Sequence, residues 1–181
     1  MLARHPLGVL LSILHFAQHE PDTDRWLGGE GGDESLLRGS SPVSAAFVEY
    51  ARSPRARALL SVTSEWWEHA DAGVRYENLV EDPVAELSRI AEALGTPPLM
   101  PPAQAVESVR FRRLQEETDN EHFWQGRVGL WSELVPTATA LEIAAVYPEM
   151  HRLGYAVGVD EETALARWQA VAVKPGLVEA C

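Results

Sequence analysis

The residues able to do chemistry in this 181-residue chain form a short menu. Arg127 lies between Gly126 and Gly129 in the run His122 to Trp131, HFWQGRVGLW. Two glycines flanking an arginine, with bulky aromatics outside, suit a backbone loop that closes on a ligand. A turn pinned by tryptophans would look the same. Arg110, Arg112 and Arg113 surround Phe111, a basic knot that serves either an anion or an exposed helix face paired with Glu116 and Glu117. Of fifteen basic residues only Lys174 is a lysine, and it lies in the C-terminal tail. An anion site must therefore be made of arginines and backbone amides, and no internal lysine serves catalysis. His15 and His19 have metal-ligand spacing, but no Glu follows His15 and no third ligand is evident. Two histidines near a helix end are the reading, and no metal is expected.

The element best placed to position such groups is Val74 to Gly95, VRYENLVEDPVAELSRIAEALG. Val74-Arg75-Tyr76 is β-prone, Glu77 to Glu81 reads as a polar turn, and Asp82-Pro83 is a helix start. Val84, Leu87, Ile90, Ala91 and Leu94 then recur at helical spacing, and Gly95 stands where a left-handed cap is wanted. A strand feeding a one-sided helix belongs to a layered α/β domain. Tyr76 would sit at the strand's C-terminal end, where open α/β sheets bind ligands.

Twenty-seven acidic side chains against fifteen basic give a net charge of −12, the wrong sign for a nucleic-acid or anionic-membrane binder. The single cysteine, Cys181, excludes an intrachain disulfide and a thiolate metal cluster, and a cytoplasmic location is expected. Leu7 to Phe16 is apolar and follows Arg4-His5, yet Pro6 opens it and no small-residue cleavage pattern follows. A buried helix beginning at Pro6 explains it better than a secretion signal. Asp22 to Pro42 is rich in Gly, Ser and acids and reads as a mobile surface loop. Helices are expected from Ser41-Pro42 through Val43–Ala51, from Pro54 to about Ala70 with Trp66 and Trp67 in the core, and from Pro136 to Leu153 with a kink at Pro148. Pro97, Pro98, Pro101 and Pro102 make an extended connector. Glu161 to Val173 reads as a terminal helix.

Three ordered pieces resemble the C-terminal half of the PAPS-dependent sulfotransferases. Arg4-His5-Pro6 with Ser12 is similar to that family's Arg-Asp-Pro opening and the serine eight residues after the arginine, with His5 in place of the acid. RYENLVEDP resembles its RYEDL-x-x-DP strand and turn. Gly126, Gly129 and Trp131 match its closing Arg-Lys-Gly-x-x-Gly-x-Trp loop, where Trp124-Gln125 replaces the Arg-Lys pair, and Leu153-Gly154-Tyr155 matches its ending.

The resemblance implies a helix-rich α/β fold, the C-terminal part of a P-loop-NTPase-like three-layer domain with few remaining parallel strands, stubs of them at Met1 to Ala3 and about Ala72 to Tyr76. That partial domain spans 1–158, with 22–42 as its mobile loop and 159–181 as a C-terminal helix and tail. The implied cofactor is 3′-phosphoadenosine 5′-phosphosulfate (PAPS) or its product PAP. Arg4 and Ser12 would hold the 3′-phosphate, Tyr76 and Phe111 would contact adenine, and Gly126 with Arg127 would fold over the phosphate. The family's lysine-bearing phosphosulfate loop and its general-base histidine have no counterpart, so no catalytic residue is assigned. The expectation is a sulfotransferase-type polypeptide lacking its catalytic front half. It would be inactive alone and either marginally stable or paired with a second polypeptide or another copy, and its small-molecule acceptor is unread. The alternative is a non-catalytic acidic helical module that binds a protein.

Overall fold

Apolar residues at helical spacing dictate the centre of the molecule. In a computed structural model, which describes residues 1–19, 37–109, 126–148, 150, 153–155 and 157, strand β1 (Leu2–Ala3) runs through Arg4-His5 into helix α1 (Pro6–His19). Leu7, Leu10, Leu11 and Leu14 fall on one face of α1 and all four are buried. Leu37 is also fully buried, and both the N–H and the hydroxyl of Ser40 donate to its carbonyl. The end of the stretch expected to be a mobile loop is thus a turn fixed on the core.

Helix α2 (Ala45–Arg52) begins later than its sequence implies. Ser44, not Ser41, supplies the cap, accepting the Phe47 N–H at 3.2 Å. Ser53 separates α2 from α3 (Pro54–Trp67) and caps the latter, accepting the Ala56 N–H at 3.1 Å with Pro54 at the first helical position. Phe47, Tyr50 and Ala51 enter the core from α2. From α3 only Ala56 is buried. Trp67 packs against the core from a partly buried position, but Trp66 is 61% exposed, so the tryptophan pair is split between interior and solvent.

Strand β2 (Val74–Arg75) pairs with β1 in parallel, Leu2 opposite Val74 and Ala3 opposite Arg75. Tyr76 to Glu81, expected as strand end and turn, instead form helix α4 (Tyr76–Glu81). The next residue of β1's chain, Arg4, has already left the sheet, so Tyr76 has no ladder partner and its backbone is satisfied helically. Helix α5 (Pro83–Ala93) has both predicted ends. Asp82 accepts the Ala85 N–H at 3.0 Å. At the other end, Gly95 at φ +60° bonds the Glu92 carbonyl and Thr96 bonds that of Ala91. The apolar stripe of α5 does not reach the core, however. No residue of α4, α5 or α6 (Pro102–Ser108) is buried, and Leu94 is 51% exposed. These three helices pack on one another as a lobe beside the core. Pro102 opens α6 rather than only ending the connector.

Helix α7 (Trp131–Leu134) and helix α8 (Thr137–Ala144) close the core with Trp131, Leu134, Ala140 and Ile143. The single helix expected to run to Leu153 stops at Ala144. Pro148 disfavours helical backbone at the residue before it, so Tyr147 leaves the helix. Its ring is still buried, and its hydroxyl donates to the Ala51 carbonyl. Met150, Leu153 and Tyr155 remain core residues. Phe111 and the Arg110, Arg112 and Arg113 knot, most of Asp22 to Pro42, and the tail helix at Glu161 to Val173 lie outside the described residues.

Candidate functional site

Parallel pairing sends the chain out of β1 and β2 at the same edge. Arg4-His5 and Tyr76-Glu77 therefore emerge side by side. The Arg4 guanidinium lies 4.7 Å from the centroid of the Tyr76 ring, within cation–π range. The His5 backbone N–H donates to Glu77 Oε1 at 2.9 Å, and the Tyr155 hydroxyl donates to Glu77 Oε2 at 3.1 Å. One carboxylate thus joins the first turn, the second turn and the Leu-Gly-Tyr segment. Tyr155 is 8% exposed, and its phenol titrates well above the ordinary tyrosine range. Burial is the largest cause, followed by the charge of Glu77 and its hydrogen bond, while Arg75 and Arg4 pull the other way. Arg75 lies over the Tyr155 ring at 5.5 Å.

The third wall comes from residues 126–131. Gly126 and Gly129 have φ of +60° and +76°, left-handed backbone that wraps the segment around the β1–α1 turn. Trp131 then stacks on the His5 ring, centroids 4.2 Å apart. Between the walls is a cleft of about 120 Å³ lined by Arg4, Gly8, Ser12, Tyr76, Gly126 and Arg127, with His5, Glu77 and Trp131 also reaching it. That is below the roughly 300 Å³ at which pockets for whole small molecules begin. It would enclose only part of such a molecule.

Five of the six residues assigned to a cofactor in the sequence, Arg4, Ser12, Tyr76, Gly126 and Arg127, line this one cleft. The sixth, Phe111, lies outside the described residues. The charges within are unequal. Arg127 is ion-paired with Glu133 at 2.5 Å in an exposed setting, so its charge is partly answered already. Glu77 is the acid among the described residues that line the cleft, and each of its oxygens has a donor. Among the described residues Arg4 is left as the main cationic group of the cleft. The Ser12 hydroxyl donates to the Gly8 carbonyl at 3.1 Å. Sequence reasoning gave no role to His5, Glu77, Trp131 or Tyr155, although all four stand inside the matched motifs.

His15 and His19 have ring centroids 4.3 Å apart, and among the described residues no group of three or more His, Cys, Asp or Glu could hold a metal ion. No helix of the described residues is long and apolar enough to cross a membrane. Comparison with models of protein families, with curated proteins and with solved structures finds nothing that matches this chain.

Proposed function

We propose that the cleft takes the 3′-phosphoadenosine end of PAPS or PAP, and that the chain is the nucleotide-gripping part of a sulfotransferase-type protein. The observation that carries this reading is convergence: three separated stretches, around Arg4, Tyr76 and Gly126, line one small cleft with a guanidinium and an aromatic ring. A phosphate dianion would draw the Arg4 guanidinium off the Tyr76 ring and free that face for adenine. Ser12 would turn its hydroxyl proton from Gly8 to a phosphate oxygen. Arg127 would contribute only as far as Glu133 releases it. Transfer of a sulfuryl group depends, like phosphoryl transfer, on charge neutralisation at the moving group. Among the described residues no lysine lines the cleft. The groups that hold the 5′-phosphosulfate would come from another segment or a second polypeptide, and the acceptor would be a hydroxyl or amine compound.

Isothermal titration calorimetry with PAP tests the reading, with adenosine 5′-phosphate as the control that lacks the 3′-phosphate. PAP should bind and the control should bind much more weakly. Arg4→Ala should weaken PAP by about 10- to 100-fold, the worth of hydrogen bonds to a charged group. A folded sample that gives no heat with PAP removes the cofactor.

The second reading, an acidic helical module that binds a protein, draws on the α4–α5–α6 lobe. Its helices bury no residue, and Leu94, Leu99, Met100 and Val109 are exposed there. Stable association with a protein that persists in Arg4→Ala and Ser12→Ala would favour it over nucleotide binding.

A further inference from the structure

Helix α1 starts on an unusual cap. Pro6 is its first residue, and the Val9 N–H bonds the His5 carbonyl at 3.0 Å, which makes His5 the N-cap. Caps are ordinarily Ser, Thr, Asp or Asn, whose side-chain oxygen accepts an N–H of the first turn. Here the imidazole does so: the Leu7 N–H donates to His5 Nδ1 at 3.2 Å. A ring nitrogen accepts a hydrogen bond only when it carries no proton, so the cap requires the neutral ring with its proton on Nε2. The ring has little freedom to turn. It is 6% exposed, stacked on Trp131, and met edge-on by Tyr155 at 5.0 Å.

Among the described residues the charged and titratable groups around it pull in both directions. Glu77 on α4 favours an imidazolium, although its two oxygens are bonded to the His5 N–H and the Tyr155 hydroxyl. Arg4, Arg75 beside Tyr155, and the positive end of α1 oppose one. Arg127 and Glu133, further along the cleft, neutralise each other.

We propose that His5 is the positioning residue of the cleft and works only when uncharged. Protonation at Nδ1 breaks the cap, and the turn that carries Arg4 and aims Gly8 and Ser12 into the cleft loses its fixed start. The native state then excludes a proton that the unfolded chain accepts. Stability from this cap is therefore full at neutral pH and falls as pH drops through the histidine range. The nucleotide arm of the test rests on the function proposed above, and the stability arm does not.

Thermal unfolding of the full chain at pH 7.5 and 5.5 compares wild type with His5→Asn, which keeps an acceptor without titrating, and with His5→Ala. On acidification the wild type should lose about 2–4 °C more than His5→Asn, the size expected for one cap in a chain of this length. His5→Ala should be lower at both pH values with no extra acid loss. Equal acid losses in wild type and His5→Asn, or a gain by the wild type, overturn the proposal. Long-range ¹H–¹⁵N spectra of the wild type provide a readout that needs no variant: Nδ1 should be unprotonated at pH 7.5, and a protonated Nδ1 refutes the cap. In calorimetry with PAP, the affinity of wild type relative to His5→Asn should fall about fivefold between the two pH values. The titration of PAP's own phosphate cancels in that ratio, and an unchanged ratio overturns control of the site by His5. Absence of binding by both folded proteins removes the nucleotide and leaves the melts and spectra to decide on His5.

Discussion

Removing the Tyr155 hydroxyl tests whether Glu77 really ties three parts of the chain together. In Tyr155→Phe the ring that packs against His5 and beneath Arg75 stays, and only the donor to Glu77 Oε2 is lost. A hydrogen bond to a charged group contributes about 1.5–3 kcal/mol. Glu77 is half-buried, so water recovers part of this and the expected loss is about 1–2 kcal/mol. For a chain of this size that corresponds to a midpoint lowered by roughly 2–8 °C. Urea unfolding in a double-mutant cycle isolates the contact: in a Glu77→Ala background the same substitution should cost less than about 0.5 kcal/mol. The pH dependence adds a second arm. Tyr155 titrates above its unfolded value, so its contribution is complete below about pH 10 and is lost as pH rises through its folded value. The wild type should therefore lose its advantage over Tyr155→Phe from about pH 10 upward. An equal cost in both backgrounds, or a gap that does not narrow in alkali, refutes the role given to Glu77.

Two further comparisons probe the frame. At Gly154, with φ +74°, an added Cβ would sit 2.2 Å from Arg75 Nη2, whereas at Gly95, with φ +60°, it would meet nothing within 4 Å. Gly95→Ala should cost only the left-handed backbone, about 1–2 kcal/mol. Gly154→Ala should cost about 0.5–1 kcal/mol more, because Arg75 must leave the Tyr155 ring, and Arg75→Ala should erase that difference in denaturant melts. Leu10→Ala, in the fully buried row of α1, should cost about 2–5 kcal/mol, and Leu87→Ala, in the half-buried stripe of α5, less than about 1 kcal/mol. Similar costs at the two leucines would mean that α5 is covered as deeply as α1.

Helix ends were the most legible part of the fold because their chemistry is local. Ser53-Pro54, Asp82-Pro83 and Gly95 each carry within a few residues the acceptor, ring or left-handed backbone that the end requires. Strand length was not legible, since β2 stops where β1 turns away, and a β-prone Tyr76 cannot extend a ladder alone. Nor was burial. Periodicity shows that α5 has an apolar face but not that anything lies against it, and the same pattern in α1 is fully enclosed. Pro148 implies a kink at its own position, while its steric effect falls on Tyr147. At the cleft, the motif order picks out Arg4, Ser12, Tyr76, Gly126 and Arg127, residues that line it directly. His5, Glu77, Trp131 and Tyr155 act through one another, and such pairings appear only when the chain is folded.

That second layer explains how a cleft can be walled on so small a sheet. Arg4 stands at the head of α1, whose leucines are enclosed. Tyr76 opens the α4–α5–α6 lobe, where nothing is buried. Two strands of two residues each supply little backbone bonding between these parts. Further links are both bonds of Glu77 and the Arg4–Tyr76 contact, and these border the cleft. A ligand that bound Arg4 through a phosphate and Tyr76 through a base would span the same seam. Its binding energy would then be spent partly on holding the lobe to the core, so weakening the seam at Tyr155 should lower ligand affinity even though Tyr155 need not touch the ligand.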